Sequence, residues 1–270
     1  MVDERDKWLR LGIDIERPSA ARVYDYYLGG DSNFEVDRVL AEQVRAAIPW
    51  VHDTARHNRA FLRRAVRYCM DAGVRQFLDI GSGTPTVGNV HEIAQQLDPD
   101  SRVVYVDNEP VAVAHAQLLL EGNENATIVR ADLREPDEVC DGEETTRLLD
   151  FDQPIAVLMV AILHFIPDSD RPLDIISQYQ KRLAPGSHLA ISHVTDDVYA
   201  EQIHQLVDLY RGSSNPVTTR TKEQVRELFT GFDLIDPGVV WTPEWRPETP
   251  GHVGEHPEDS VIYAGLGRRS

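Results

Sequence analysis

Cysteine is almost missing. Cys69 and Cys140 are the two in 270 residues, far apart and without His or Cys neighbours at ligand spacing. That argues against a disulfide framework and a zinc cluster, so no metal is expected and the reducing cytoplasm is the expected compartment. Long apolar runs are missing too. Nothing approaches the roughly 20 residues of a membrane span, and "MVDERDKWLRLGIDIERP" has no apolar segment of the secretory kind. Positive charge is scarce: 27 Lys and Arg stand against 45 Asp and Glu, a formal net charge of −18. Such a field repels a polyanion, which argues against nucleic acid as partner. The one basic cluster is Arg56, Arg59, Arg63, Arg64 and Arg67. It reads as a solvated helix face paired with acids, or as a local site for the carboxylate or phosphate of a small ligand.

What is present suits one sizeable core: 41% of the residues are hydrophobic. The periodicity predicts a helical extension over residues 1–73, then an α/β unit over 74–270. In "RPSAARVYDYYLGG", Ala20, Val23, Tyr24, Tyr27 and Leu28 recur at helical spacing before a Gly29-Gly30 stop. "SNFE" offers a capping box from Ser32 to Glu35. A third helix is expected near Thr54 to Asp71. From Val74 the pattern changes. "RQFLDI", "RVVYVD", "ATIVRA", "PIAVLMV" and "SHLAISHV" read as strands alternating with helices, the signature of a parallel sheet covered on both faces. "FDLIDPGVVWT" and "SVIYAGLGR" read as a closing antiparallel pair.

In an open parallel sheet, ligands bind beyond the carboxyl ends of the strands. There "FLDIGSGTP" places Asp79 before a turn carrying Gly81 and Gly83, where backbone can approach a ligand without a Cβ in the way. A helix starting near Thr86 would aim its amide dipoles at the same place. The next two strands end on Asp107, suited to both hydroxyls of a ribose, and on Asp132, followed by Leu133, suited to the amine edge of a purine. No Gly-Lys-Ser/Thr follows the turn, which excludes a P-loop, and Thr86 stands where a nicotinamide fingerprint needs glycine. Asp79 points to a ligand with an ammonium group, held by charge-assisted hydrogen bonds. An adenosine carrying an amino acid is S-adenosylmethionine.

"FLDIGSGTP", "VVYVDNEP", "IVRADL" and "VLMVAILHFIPD", in that order, resemble the successive motifs of class I S-adenosylmethionine-dependent methyltransferases. "PSAARVYDYYLGGDSNFEVDR", "ARHNRAFLRRAVRY", "LAISHVT" and "GFDLIDPGVV" are similar to one bacterial branch with an RVYDYYLGG-type signature. The resemblance covers essentially the whole chain. It implies a doubly wound, Rossmann-like seven-stranded sheet with its last strand antiparallel. It also implies S-adenosyl-L-methionine as cofactor and S-adenosyl-L-homocysteine as product. Asp79, Gly81, Ser82 and Gly83 would follow the methionine part, Asp107 the ribose, and Asp132 with Leu133 the adenine; Asn108 and Ala161 complete the implied set. Pro85 stands where many such enzymes have a third glycine.

With a sulfonium as leaving group, the protein's main task is alignment, joined by a general base where the acceptor is a hydroxyl or ammonium. His164 is the candidate base, against a purely structural role; His193 is the second candidate. Tyr24, Tyr26 and Tyr27 read either as a pocket roof, where aromatic faces attract a sulfonium, or as a buried stripe. Arg22, Tyr27 and Asn33 would belong to a lid, with Arg22 on the cofactor's carboxylate. No Asn-Pro-Pro-Tyr tetrad and no Pro-Cys nucleophile occur, so the expected acceptor is a small molecule. Two other functions share the pattern: a catalytically silent module that binds the cofactor or its product, and an NAD-dependent oxidoreductase.

Overall fold

The computed structural model describes residues 13–85 and 88–270. Three helices come first: α1 (Ala20–Tyr27), α2 (Glu35–Ala47) and α3 (Val51–Asp71). The alternating part follows as β1 (Gln76–Ile80), α4 (Val90–Leu97), β2 (Arg102–Asp107), α5 (Pro110–Leu119) and β3 (Ala126–Arg130). Two short helices, α6 (Pro136–Asp141) and α7 (Glu143–Leu148), lead into β4 (Ile155–Val160). Then come α8 (Pro172–Arg182), β5 (His188–Val194), α9 (Ala200–Tyr210) and α10 (Lys222–Glu227). The chain closes with β6 (Asp233–Leu234), β7 (Val240–Trp241) and β8 (Ile262–Arg268).

The sheet runs β3-β2-β1-β4-β5-β8-β6, with β7 also paired to β8. β1 to β5 are parallel, and β8 runs antiparallel to β5 from His188 opposite Arg268 to Val194 opposite Ile262. The expected fold class is therefore correct. One detail differs. "FDLIDPGVVWT" does not make one long strand, because Asp236-Pro237-Gly238 interrupts it and Gly238 takes φ 81°. Two two-residue strands result, giving eight strands among the described residues rather than seven.

The sheet is covered on both faces, so alternate residues of each strand enter different cores. Leu78, Ile80, Val157 and Met159 join one cluster with Leu163, Ile175 and Tyr179. Phe77, Ala156 and Leu158 join the other, against Phe61, Leu62, Ala65 and Val66 of α3. Asp79 alternates with Leu78, so it shares the face of Phe77 and turns toward α3. Truncating Phe61, which is fully buried and meets Trp245 edge to face at 5.4 Å, removes about 3–5 kcal/mol by the usual cost of such cavities.

A third core lies beyond the carboxyl ends of the strands. Val23 and Tyr27 of α1 with Leu40 and Val44 of α2 meet Ile203 and Tyr210 of α9 there. The N-terminal helices thus pack with a helix that enters 150 residues later. Their junction rests on Asp37, not on the expected Ser32–Glu35 box. The fully buried Asp37 carboxylate accepts from Ser19 N at 2.9 Å, Phe34 N at 2.9 Å and Arg22 Nε at 2.8 Å. It caps the starts of both α1 and α2, so α2 begins at Glu35 and Ser32 turns away to His115 Nδ1 at 2.9 Å. Among the described residues no helix is long and apolar enough to cross a membrane.

Candidate functional site

β1 and β4 are neighbours whose onward connections run to opposite sides of the sheet, and a cavity opens at their carboxyl ends. It encloses about 180 Å³. Its floor is the turn after β1. Gly81 takes φ +71°, and a Cβ on it would stand 2.4 Å from Ile162 Cγ1; Gly83 takes φ +66°. Both features require glycine. Gly83 N donates to Asp107 Oδ2 at 2.7 Å and Glu109 N to Oδ1 at 2.8 Å, so the Asp107 carboxylate is fixed at the end of β2. Each of its oxygens keeps a second lone pair for a ligand. Burial raises the Asp107 pKa against those amide bonds.

Asp79 is the least satisfied group of this floor. It is 6% exposed and has no hydrogen-bond partner among the described residues. Burial pushes its carboxyl up to about 7, offset in part by the Arg59 guanidinium and reinforced by Asp107. In the turn that follows, Ser82 Oγ and Thr84 Oγ1 are also buried and unpartnered among the described residues, and of the two Ser82 lines the cavity. At the end of β4, Ala161 adopts φ 57°, a left-handed conformation that costs a residue with a Cβ about 1–2 kcal/mol. Ser192 on β5 holds it there, with Oγ 2.9 Å and O 3.2 Å from Ala161 N.

The roof comes from α1, α3 and α9. Asn58 Nδ2 donates to Tyr24 Oη at 2.9 Å, and Tyr24 Oη donates to Ala55 O at 3.2 Å. Asn58 Oδ1 accepts from Ser192 Oγ at 2.6 Å. Tyr24, Asn58, Ser192 and Ala161 therefore form one chain from roof to floor. Tyr27 lines the cavity with its hydroxyl buried near that of Tyr210, short of hydrogen-bonding geometry. Arg59 enters the lining from α3 while its Nη2 donates to Gly88 O at 2.9 Å.

His164 sits in the short 3-10 turn Leu163–Phe165 after β4, on the cavity wall. Burial, then His193, then Arg220 hold its imidazole well below the usual pKa, so it is neutral. Nδ1 of His164 is buried without a partner among the described residues. The two rings meet edge to face at 5.6 Å. His193 lies behind, fully buried; Nδ1 donates to Val194 O at 2.7 Å and Nε2 accepts from Arg220 Nη1 at 2.7 Å. Burial and Arg220 bring His193 down to about 3, and it does not line the cavity.

The structure thus brings Asp79, Gly81, Ser82, Gly83, Asp107, Asn108, Ala161, His164 and Tyr27 to one cavity. Four expected residues are elsewhere. Arg22, 1% exposed, is consumed by structure: Nε meets Asp37, Nη1 meets Glu109 Oε1 at 2.9 Å, and Nη2 meets Asp14 O and Arg17 O. Four of its five N–H donors are engaged and it does not line the cavity, so it is not placed to meet a cofactor carboxylate. Asn33 locks its own loop, with Nδ2 2.9 Å from both Asp25 Oδ2 and Gly30 O. Asp132 is clasped by Arg134, Nη2 at 2.7 Å and Nε at 3.0 Å, which holds its pKa down. Leu133 is buried in the sheet core. Of this pair only an edge reaches the cavity, through Asn108 Nδ2 at 3.4 Å from Asp132 Oδ2. The helix after the glycine turn also departs from expectation. Its expected start at Thr86 lies outside the described residues; α4 itself begins at Val90, and Glu92 Oε2 occupies the Gly88 and Asn89 amides.

Sequence reasoning left Arg59 undistinguished within its basic cluster. Arg63 pairs with Glu248 at 2.9 Å and Arg56 with Asp53 at 2.8 Å, while Arg64 bonds the carbonyls of Trp245 and Thr242. Asn58 was also missed. Its signal was present: a polar residue on the apolar stripe Val51, Ala55, Leu62 of a long helix.

A doubly wound sheet with an acid-and-glycine floor at its switch point defines a nucleoside-binding enzyme class. The chain belongs to the S-adenosyl methyltransferase family, whose family model matches residues 6–270. It is similar to a crystal structure of a protein from Thermobifida fusca YX assigned as a methyltransferase: 38% identity over 96% of this chain and 97% of that one, TM-score 0.90. A DUF574 family protein from Streptomyces avermitilis MA-4680 is 34% identical over 95% and 99%, TM-score 0.91. The pyocyanin biosynthetic protein PhzM, 18% identical over 84% of this chain and 59% of that one, TM-score 0.51, shares the fold. Comparison with curated proteins finds no match. S-adenosylmethionine is the cofactor of the family.

Proposed function

We propose that this protein transfers a methyl group from S-adenosylmethionine to a small-molecule acceptor, with the cavity above β1, β2 and β4 as its active site. One observation carries the reading. Among the described residues the buried Asp79 carboxylate has no hydrogen-bond partner, and it shares a cavity wall with the Arg59 guanidinium and the unpartnered Ser82 hydroxyl. A carboxylate left alone in a low-dielectric wall is costly. The arrangement fits the ammonium and carboxylate of an α-amino acid, which supply what each group lacks.

The rest of the floor fits the same ligand. Asp107 would accept from the ribose hydroxyls, and Asn108 would stand at the nucleobase edge. Gly81, with no Cβ, lets the turn pack directly against Ile162, which shapes the floor. The cofactor supplies a methyl on a sulfonium, already activated for displacement. The protein's residues then orient and exclude water. Ala161, pinned by Ser192, presents backbone at the rim, and Tyr24 and Tyr27 close the roof. Neutral His164 is placed to take a proton from the acceptor. Arg59, rather than Arg22, would meet the cofactor's carboxylate. The charge of −18 supports a small acceptor over a nucleic acid.

Calorimetry tests this reading. S-adenosylhomocysteine should bind to the purified protein in the micromolar range or tighter while NAD gives no heat. Binding of NAD, or silence toward the homocysteine compound at millimolar concentration, would overturn it.

A further inference from the structure

The same cavity has two chemically different ends. Among the described residues, the charged side chains lining it are Asp79, Asp107, Glu109 and Arg59. All four belong to the strand-end floor or face it from α3. The opposite end is walled by Tyr27, Val51, Phe165, Leu206, Tyr210 and Val217. Its polar points are neutral: the hydroxyls of Tyr27 and Tyr210, the amide of Asn215 and the uncharged imidazole of His164. Asn215 Oδ1 accepts from Ala20 N at 3.1 Å, which ties this end to the start of α1.

We propose that the methyl acceptor is an uncharged, largely apolar aromatic molecule carrying a weakly acidic hydroxyl, seated between Tyr27, Tyr210 and Val217 with that hydroxyl at His164. This rests on the methyltransferase reading above and adds the substrate class to it. An aliphatic amine acceptor would arrive as an ammonium and meet no carboxylate at this end. A carboxylate acceptor would meet no cation. Burying either charge unpaired is prohibitive, while a phenol leaves only one polar group to satisfy. In the transfer, the oxygen–methyl bond forms as the methyl–sulfur bond breaks. The sulfur keeps that electron pair, and the hydroxyl proton passes to the neutral imidazole of His164.

The test uses three probes with the same ring and hydroxyl, titrated into protein saturated with S-adenosylhomocysteine at neutral pH. 4-Ethylphenol is neutral, tyramine carries an ammonium, and 3-(4-hydroxyphenyl)propionate carries a carboxylate. We expect 4-ethylphenol to bind at least about tenfold tighter than either charged analogue. Asn215→Asp keeps the acceptor for Ala20 N and adds a charge to the wall. It should narrow or reverse the gap for tyramine alone, with S-adenosylhomocysteine affinity unchanged. Equal or preferred binding of a charged analogue by the natural protein, or no binding of any probe, overturns the acceptor class and leaves the methyltransferase reading standing. Failure of S-adenosylhomocysteine to bind overturns both.

Discussion

The floor and the roof of the cavity are built on opposite principles. The floor is assembled from strand ends that follow one another closely in sequence, and among the described residues two of its groups, the Asp79 carboxylate and Ser82 Oγ, have no partner. The roof is gathered from residues 20–62 and 203–217; its Tyr24 and Asn58 are already paired, and so is Arg22, which lies off the cavity. Unpaired polar groups in a wall weaken the fold and favour a ligand; paired ones hold the fold together. The floor is therefore where binding energy should reside, and the roof where stability and acceptor choice should.

Substitutions that separate the two should show this, beginning with the largest effect. Arg22→Ala leaves Asp37 buried without its cation and should cost about 3–5 kcal/mol of stability in urea denaturation. S-adenosylhomocysteine affinity, measured well below the new midpoint, should stay within about twofold. A large affinity loss would return Arg22 to the ligand and blur the division. Asn58→Ala cuts the chain between Tyr24 and Ser192. It should cost about 1–3 kcal/mol by thermal or chemical unfolding, again with cofactor affinity nearly kept.

How much of this the sequence displayed follows the same division. β1, β2, β4 and β5 are buried on both faces, so their aliphatic runs and the glycine turn after "FLDI" stand out. The floor was legible for that reason. Asp132 looked like Asp107 in sequence. What separates them is a neighbour: Arg134 closes on Asp132, whereas backbone amides hold Asp107 open. Arg22 looked like a ligand contact because its two carboxylate partners, Asp37 and Glu109, lie 15 and 87 residues away. Only the packing of α1 and α2 on α9 brings the roof residues together, and no local pattern announces that pairing.

A smaller effect should appear with pH. The Asp79 carboxyl, faced by Arg59, Asp107 and Tyr105, is raised from its ordinary 3.8 to about 7. With the folded value above the unfolded one, its contribution to stability is complete below about pH 4 and is lost as pH rises through 7. Binding of an ammonium needs the ionised form. S-adenosylhomocysteine affinity should therefore fall about tenfold from pH 8 to pH 6, which is about 1.4 kcal/mol. The isothermal titration curve at several pH values reads this directly.

Asp79→Asn puts the whole division to the question in one protein. At pH 8 the account predicts that the melting temperature rises, because a buried charge has gone, while S-adenosylhomocysteine affinity falls by about 2–3 kcal/mol, some 30- to 150-fold. Unchanged affinity in that variant, or a drop in melting temperature alongside it, would show that Asp79 belongs to the fold and that the cofactor's amino-acid end lies elsewhere.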